Sequence, residues 1–341
     1  MRSQLASSIA VLFLSGSSIA APLDINPVND AQWVSSSRAK GGLAATQIKA
    51  QVLLDRAHFS PGEIDGKPGL NFNKALTAFA ASRGLNSKGE ITPEVWQELT
   101  STSSEPVLVE YTLSREDVSG RFSKHLPRGL EQMKSLPALG YTSPREKIAE
   151  KFHMSQQLLQ ALNRGKKFVT AGEKVVVANT TTASLPEKAA RLEVDKSARV
   201  LKVFGRDEKL LAVFPATVGS TQKPAPSGRL KVTGASKNPT YRYNPKYAFR
   251  GVRATEPFTI QPGPNNPVGV VWIGLSGEGY GIHGTPEPSK ISKTESHGCI
   301  RLTNWDALRL ATAVAKGTPV DFIGDESASR RRPAEATVGR R

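Results

Sequence analysis

The 341-residue sequence has little cysteine, few acidic residues and almost no long apolar runs. Its one cysteine, Cys299, excludes an internal disulfide. Beyond residues 1–21, no apolar run approaches the ~20 residues that a lasting transmembrane helix needs. The 30 acidic residues are outnumbered by 46 lysines and arginines, so the net charge is +16. This composition predicts a soluble protein without internal disulfides and with a strongly basic surface.

Residues 1–21 have the composition of a secretory signal peptide. Arg2 gives a positive start, an apolar run extends from Leu5 to Leu14, and small residues follow up to the expected cleavage site. The apolar run is too short for a lasting span, although an uncleaved anchor is the alternative. We therefore expect an exported protein of the periplasm or cell wall, with no lasting membrane span.

The large positive charge restricts the partners that this chain can be expected to bind. Nucleic acid attracts basic proteins, but export argues against a nucleic-acid partner, and we expect none. An anionic polymer or an envelope surface fits the charge better, and a basic surface that serves solubility is the alternative. The length that remains after signal removal, about 320 residues, fits two or three domains.

Two predicted N-terminal segments precede the cysteine-containing region. Residues 22–45 are polar and predict a linker. Residues 46–100 show three helical stripes around the loop GEIDGKPG, and Thr92 and Pro93 are placed to begin the third helix. This segment resembles the peptidoglycan-binding-domain-like module, an all-α unit. A helical spacer that binds nothing is the alternative.

Residues 107–179 predict a mixed α/β segment. A capped helix, a turn, a second helix and a strand from Lys174 to Ala178 follow one another along the chain. The pattern resembles a degenerate LysM module, another glycan-binding unit, and an unrelated connecting subdomain fits equally well. His125 and His153 lie here, and we interpret both as surface or packing residues and not as ligands.

Residues 189–324 predict a mainly-β domain. From Ala189 the hydrophobic period changes to two, which indicates an antiparallel meander. Further strands are predicted at 270–275 and 281–283, and a helix is predicted from Thr303. Residues 325–341 contain five arginines and no apolar period, so we expect a disordered tail.

The chemistry of the chain centres on the stretch SHGCIRL, residues 296–302. A thiol is mostly protonated at neutral pH, so Cys299 needs a base to become a nucleophile. His297 is close in sequence, but near-adjacent side chains on a tight loop usually point apart. His283 ends a predicted strand and can face the thiol. We therefore assign the role of general base to His283.

Other residues near the cysteine fit acyl transfer. Gly298 lets the backbone bend so that its amide and that of Cys299 converge on an oxyanion. Arg301 can anchor a carboxylate or hold the loop closed. Two alternatives stay open: a zinc site completed by Glu295 or Asp306, and a structural cysteine with incidental histidines.

The stretch IHGTPEPSKISKTESHGCIRLTNWDALRLA resembles the active-site signature of the L,D-transpeptidases of the YkuD type. The shared pattern is H-G-T, a loop, and then S-H-G-C-I/V-R. KPAPSG, residues 223–228, resembles the T-P-x-G turn of that family, and residues 262–276 resemble the strand before the site. The resemblance spans roughly residues 189–323. It implies a β-sandwich catalytic domain within a multidomain chain.

The resemblance implies a role for each residue of the signature. Cys299 is implied as the nucleophile and His283 as the general base and acid, with the imidazole oriented by the backbone carbonyl of Gly284. The implied oxyanion hole consists of three backbone amides, those of His297, Gly298 and Cys299. The predicted substrate-binding residues are Arg301, Ser296 and Tyr280. Neither a metal ion nor an organic cofactor is implied.

The resemblance also implies the substrates. The acyl donor is a peptidoglycan stem tetrapeptide, whose third residue is captured by Cys299 as a thioester while the fourth, a D-amino acid, leaves. An amine of another stem then gives a 3→3 cross-link, a lysine of an outer-membrane lipoprotein gives an anchored protein, and water gives a trimmed stem. The expected partners are stem peptides and glycan. Carbapenems are implied as inhibitors that acylate the thiol.

Two other functions fit the same residues. One is an L,D-carboxypeptidase, which shares the acyl-enzyme with a transpeptidase. The other is a wall-binding protein without catalysis, although such a protein would have no need of the two histidine-glycine steps. The products formed from stem peptides would separate the first alternative from a transpeptidase.

Overall fold

The computed structural model describes residues 24–33, 43–123, 125–180, 184–220, 223–247, 252–296 and 298–324. The predicted signal peptide, the predicted tail of residues 325–341 and the predicted oxyanion donor His297 lie outside the described residues. Within the described ranges, every helix is too short or too polar to cross a membrane.

The described part of the N-terminal half contains short helices and a two-stranded antiparallel sheet. The chain begins with α1 (Ile25–Asn29), α2 (Leu43–Arg56), α3 (Leu70–Ser82) and α4 (Pro93–Ser101). It continues with β1 (Leu108–Thr112), α5 (Arg115–Val118), α6 (Leu130–Met133), α7 (Pro144–Lys151), α8 (Gln156–Leu162) and β2 (Lys174–Ala178). The three helices predicted within residues 46–100 and the predicted strand at Lys174 are confirmed.

Local sequence signals explain where several of these helices begin. The Thr92 hydroxyl accepts a hydrogen bond from the amide of Val95, and Pro93 occupies the first turn of α4, as predicted. Ser143 caps α7 and Ser155 caps α8 in the same way. These caps satisfy amides that would otherwise lack a partner at the helix start.

The range 22–45 differs from the predicted linker. It contains α1, on which Val28 is fully buried. Asn29 pairs with the backbone of Leu108, its Nδ2 donating to the carbonyl at 3.0 Å and its Oδ1 accepting from the amide at 2.8 Å. α2 also begins earlier than predicted, at Leu43. The polar side chain of Asn29 binds the backbone of a distant strand, which composition alone does not reveal.

The two predicted N-terminal segments share one hydrophobic core and form a single unit, called here the N-terminal unit (residues 24–180). Residues 46–100 and 107–179 both contribute buried side chains to that core, including Phe79, Leu99, Leu108, Leu159 and Val177. The amide of Ile64 also donates to the carbonyl of His153 at 2.8 Å. Removing either segment would expose the apolar side chains of the other.

The second half is the mainly-β domain. Its strands are β3 (Arg191–Asp195), β4 (Val200–Phe204), β5 (Leu210–Pro215), β6 (Thr217–Val218), β7 (Gly228–Lys237), β8 (Tyr241–Tyr243), β9 (Phe258–Ile260), β10 (Val271–Leu275), β11 (Gly281–His283), β12 (Ile300–Arg301) and β13 (Pro319–Ile323). α9 (Asn304–Ala313) lies between β12 and β13 and is capped by Thr303. The predicted meander is present as β3, β4 and β5, which pair antiparallel.

The main sheet curls back on itself. Its described strands follow the order β5-β4-β3-β13-β7-β10-β11-β12-β6, so β5 and β6 lie at opposite ends. Only Ala216 separates these two strands along the chain. The sheet must therefore bend until its ends meet. It encloses an apolar core that includes Leu201, Phe214, Ile273, Ile282 and Leu310.

The N-terminal unit and the β domain meet at a buried polar network. Asp55 on α2 is fully buried and accepts hydrogen bonds from His153 Nδ1 at 3.0 Å and from Arg309 Nη2 on α9 at 3.3 Å. The Ser60 hydroxyl donates to the carboxylate of Asp306 at 2.8 Å. His153 is thus a packing residue, as predicted from the sequence.

The partners of Asp55 determine its ionisation. Burial alone would raise the pKa of Asp55, but His153 and Arg309 outweigh burial and hold this pKa at about 2. The unfolded value is about 3.9, so the folded pKa is the lower of the two. The stabilisation from this network is therefore complete above about pH 4 and is lost as the pH falls toward 2.

We expect Asp55→Ala to lower the free energy of unfolding by about 3–5 kcal/mol at pH 7, because the buried His153 and Arg309 side chains both lose the carboxylate that accepts their hydrogen bonds. Urea denaturation of the full chain measures this change. The matched control is Asp321→Ala, which removes the partner of the exposed Arg229. That change should cost no more than about 1 kcal/mol. Equal losses for the two variants would contradict the assigned role of the network.

Candidate active site

The candidate site is a row of side chains across four neighbouring strands. The sheet register pairs Ser236 with Trp272, Trp272 with His283, and His283 with Arg301. Residues that lie opposite each other in a sheet point to the same face. The four side chains therefore share one face, and all four line a cleft of about 910 Å³.

Cys299 lies in the same cleft. It directly precedes β12, and the parallel register of β11 and β12 places it beside Gly281. Its Sγ lies 3.6 Å from the carbonyl oxygen of Gly279, to which the thiol can donate. Cys299 and His283 both line the cleft. The structure thus brings together the nucleophile and the base that were predicted from the sequence.

The imidazole of His283 is held in one orientation. Its Nδ1 lies 2.7 Å from the carbonyl oxygen of Gly284, so Nδ1 donates and Nε2 is left as the acceptor. The ring stacks on Trp272, with centroids 5.6 Å apart and an angle of 17° between the planes. The contact between His283 and Gly284 that the family resemblance implies is present.

Asn304 supports Gly284 from behind. A Cβ atom at residue 284 would lie 2.1 Å from Asn304 Oδ1, so only glycine fits there. The same Oδ1 accepts from the amide of Val270 at 3.2 Å, and Asn304 Nδ2 donates to Glu150 Oε1 at 3.0 Å. Glu150 lies on α7. The N-terminal unit therefore contacts Asn304, the residue that packs against the Gly284 backbone that orients His283.

Burial determines the protonation of Cys299 and His283. Burial raises the pKa of Cys299, and the opposing effects of a backbone hydrogen bond from Gly281, of Lys223 and of Arg301 do not cancel it. Burial and then Arg301 lower the pKa of His283 to about 3, although the Gly284 carbonyl opposes the change. The resting pair is therefore a neutral thiol and a neutral imidazole.

The cysteine loop depends on glycine at residue 298. Gly298 has φ of +93°, which side-chain-bearing residues rarely adopt, and a Cβ there would lie 3.0 Å from the Tyr280 ring. The predicted backbone bend is present. Tyr280 packs beside this loop beneath Lys223 Nζ, which is 6.0 Å from the ring centroid. A contact between Tyr280 and substrate stays a prediction.

Ser296 differs from its predicted role in substrate binding. The side chain is 1% exposed, and its hydroxyl donates to the carbonyl of Cys299 at 2.6 Å. Its own amide donates to the carbonyl of Gly219. Ser296 bonds to the backbone of the cysteine loop on its buried side and does not line the cleft. The sequence pattern marks a functional loop but does not show which side of it faces the substrate.

Arg301 holds the loop closed, which is one of the two roles predicted for it. Its Nη1 donates to the backbone carbonyl of Glu295 at 3.2 Å, and the side chain also lines the cleft.

Among the described residues, no group of three or more His, Cys, Asp or Glu side chains is placed to hold a metal ion. Asp306, weighed as a zinc ligand, instead binds Ser60 at the domain boundary.

Sequence reasoning missed Trp272, Asn304 and Glu150. Trp272 stands in a predicted strand, but only the register shows that it faces His283. Asn304 looks like an ordinary first residue of a helix, and Glu150 looks like one of several charges on α7. No local signal in the sequence distinguishes these residues from neighbours of the same type.

The family can be named once this geometry is compared with known proteins. The sequence profile of the YkuD family, described as the L,D-transpeptidase catalytic domain, matches residues 189–322. The chain is 33% identical over 182 residues to the putative L,D-transpeptidase YkuD of Bacillus licheniformis, which covers 52% of this chain and 92% of that protein. The chain therefore belongs to the YkuD family of L,D-transpeptidases.

Other relatives extend the comparison. The chain is 28% identical over 211 residues to the probable L,D-transpeptidase YbiS of Escherichia coli K12, covering 60% of this chain and 68% of that one. The chain is also similar to the solved catalytic domain of the E. faecium L,D-transpeptidase, with 24% sequence identity and a TM-score of 0.30. The alignment covers 40% of this chain and 98% of that one. The family prediction is confirmed, and the peptidoglycan-binding and LysM-like modules stay predictions.

We expect Gly284→Ala to slow acylation of Cys299 by about 100-fold, because a methyl group cannot fit against Asn304 and the carbonyl that orients His283 must move. Mass spectrometry of the acyl-enzyme over time measures the rate. Gly234→Ala on β7 is the control, since a Cβ there meets no atom within 4 Å. Similar rates for Gly284→Ala and the wild type would show that the carbonyl position is unimportant.

The lowered pKa of His283 predicts an unusual pH profile. The imidazole stays neutral, and therefore able to accept a proton, until the pH falls toward about 3. We expect the acylation rate at pH 5 to stay within about twofold of the rate at pH 7. In His283→Ala only the thiolate can react. The slow residual acylation rate of this variant should therefore fall about tenfold for each unit by which the pH is lowered. A tenfold fall per unit in the wild type would contradict the role of His283.

Proposed function

We propose that this protein is a cysteine acyltransferase, a peptidoglycan L,D-transpeptidase that acts on stem tetrapeptides through a thioester on Cys299. The observation that carries the proposal is the shared cleft of Cys299 and His283, in which the Gly284 carbonyl fixes the imidazole. Membership of the YkuD family supports the same reaction. Export to the periplasm or cell wall is part of the proposal, because the substrate is found there.

The first half-reaction forms the acyl-enzyme. As Sγ of Cys299 attacks the carbonyl carbon of the third stem residue, Nε2 of His283 accepts the thiol proton. The negative charge that develops on the carbonyl oxygen is bound by the amides of the cysteine loop, those of His297, Gly298 and Cys299. The carbon–nitrogen bond to the fourth residue then breaks. The imidazolium gives its proton to the departing amine, which leaves a thioester.

The second half-reaction releases the product. An acceptor amine attacks the thioester carbonyl, His283 takes a proton from the amine, and the imidazolium returns that proton to the departing sulfur of Cys299. A stem-peptide amine gives a 3→3 cross-link, and a lipoprotein lysine gives an anchored protein. Water gives a trimmed tripeptide, which is the alternative L,D-carboxypeptidase activity.

The neutral resting pair suits this sequence of steps. A neutral thiol reacts slowly with oxidants and stray electrophiles, because the thiolate is the reactive form. The base is in place at all times, since His283 is buried and held by Gly284. The thiolate therefore forms only when a carbonyl group lies in the cleft to receive it.

We expect the purified protein to convert disaccharide tetrapeptides into 3→3 cross-linked dimers with release of the fourth residue. Cys299→Ala should abolish this activity, because no other thiol is present. Chromatography with mass spectrometry identifies the products. Dimers indicate transfer, and tripeptides alone would show that the protein is a carboxypeptidase. A carbapenem should add its mass to the wild type and not to Cys299→Ala.

The two histidines provide a test of the assigned base. We expect His283→Ala to slow acylation by about 100-fold or more, which is typical for the loss of a general base. His297→Ala should have a smaller effect, since only its backbone amide is used. A greater loss in His297→Ala would make the assignment of the base wrong. Near-native thermal unfolding of each variant serves as the control for folding.

A further inference from the structure

One wall of the cleft comes from outside the family domain. Residues 128–140, called here the cleft-wall segment, belong to the N-terminal unit and include α6. Their first three residues, Arg128, Gly129 and Leu130, line the cleft that contains Cys299 and His283. The sequence profile of the family begins only at residue 189, so this wall is an addition to the family domain.

The cleft-wall segment is fixed to the β domain at its far end. The amide of Leu139 donates to the carbonyl of Pro262 at 2.9 Å, and the carbonyl of Leu139 accepts from the amide of Asn265 at 2.9 Å. The side chain of Asn265 donates to the carbonyl of Gly140 at 2.9 Å. Leu139 is itself fully buried. These bonds hold the segment against the loop that leads to β10.

A second set of contacts fixes the segment near the cleft. The carboxylate of Glu131 accepts from the backbone amide of Arg253 at 3.0 Å. The Nζ atom of Lys134 lies 5.5 Å from the ring centroid of Phe258 on β9. The segment is therefore packed against the β8–β9 hairpin, and Arg128 is presented to the cleft on an anchored backbone.

The charges in the cleft are of one sign. The described lining includes four cationic side chains and no carboxylate; the cations are Arg128, Lys223, Arg242 and Arg301. Arg301 is committed to the carbonyl of Glu295. The structure gives Arg128 and Arg242 neither a hydrogen bond nor an ion pair through their guanidinium groups among the described residues. These two groups can form new bonds to a ligand.

We propose that Arg128 is a specificity-determining residue, which with Arg242 binds a carboxylate of the acyl-donor peptide. Guanidinium groups bind carboxylates through two parallel hydrogen bonds, which fixes orientation as well as charge. A tetrapeptide donor carries a carboxylate at its C-terminus, one residue beyond the bond that breaks, and its third residue can carry another. The proposal rests on the proposed function, since it concerns the donor of that reaction.

The test measures kcat/KM for thioester formation with three tetrapeptide donors. The first has all its carboxylates free, the second has a C-terminal carboxamide, and the third has its remaining carboxylates amidated. We expect Arg128→Ala to lower kcat/KM about tenfold on the free donor. The effect should shrink to about twofold or less on the donor that lacks the bound carboxylate. That donor identifies which carboxylate Arg128 binds.

Two further variants separate the effect of charge from that of the paired hydrogen bonds and provide a control outside the cleft. Arg128→Lys keeps the charge and loses the paired hydrogen bonds, so we expect it to recover part of the loss. Arg121→Ala is the matched control, because Arg121 is exposed on the same stretch of chain but does not line the cleft. The rate of alkylation of Cys299 by iodoacetamide should be equal in all variants. Equal rates show that the thiol and the fold are intact.

The outcomes separate this proposal from the proposed function. Equal losses of Arg128→Ala on all three donors, no loss on any, or an equal loss in Arg121→Ala would overturn the role of Arg128 while transpeptidation stands. A wild-type protein that forms no thioester with any donor, yet is alkylated normally, would overturn the proposed function itself.

Discussion

The hydrogen bond from His283 Nδ1 to the carbonyl of Gly284 is the interaction on which the site depends. It fixes the tautomer, so Nε2 of the neutral imidazole is an acceptor. The sheet supplies the rest of the geometry, because the register of three neighbouring strands places Trp272, His283 and Arg301 in one row. A shift of one residue in β11 would turn the imidazole to the opposite face.

The N-terminal unit supports this interaction from outside the family domain. Glu150 of the N-terminal unit binds Asn304, and Asn304 packs directly against Gly284. The carbonyl of Gly284 in turn accepts the hydrogen bond from the imidazole of His283. The same boundary contains the ion pair of Asp55 and Arg309, which is fully desolvated. Breaking such a pair is costly, so the two halves have a strong preference for one arrangement. The backbone that orients His283 is therefore supported by residues that the family profile does not include.

The sequence located the two residues proposed to react, which the structure places in one cleft, better than it predicted their surroundings. Cys299 and His283 could be assigned because a thiol needs a base and because the family signature marks both. The helix caps at Thr92 and Thr303 are local signals and were equally visible. Ser296 was misassigned because a loop sequence does not show which side faces solvent. The shared core of the N-terminal unit and the helix within residues 22–45 depend on contacts between distant segments, which no local pattern encodes.

The positive charge of the cleft does not leave Cys299 as a thiolate in the resting protein. Lys223 and Arg301 both favour the thiolate of Cys299, yet burial outweighs them and the pKa of the thiol is raised. The two cations oppose the effect of burial on this pKa but are too weak to leave a thiolate in the resting protein. Burial and then Arg301 lower the pKa of His283, which keeps the imidazole neutral and able to accept a proton. The cleft thus combines four cationic side chains with a thiol and an imidazole that are both neutral at rest, which is the charge distribution that the proposed reaction needs.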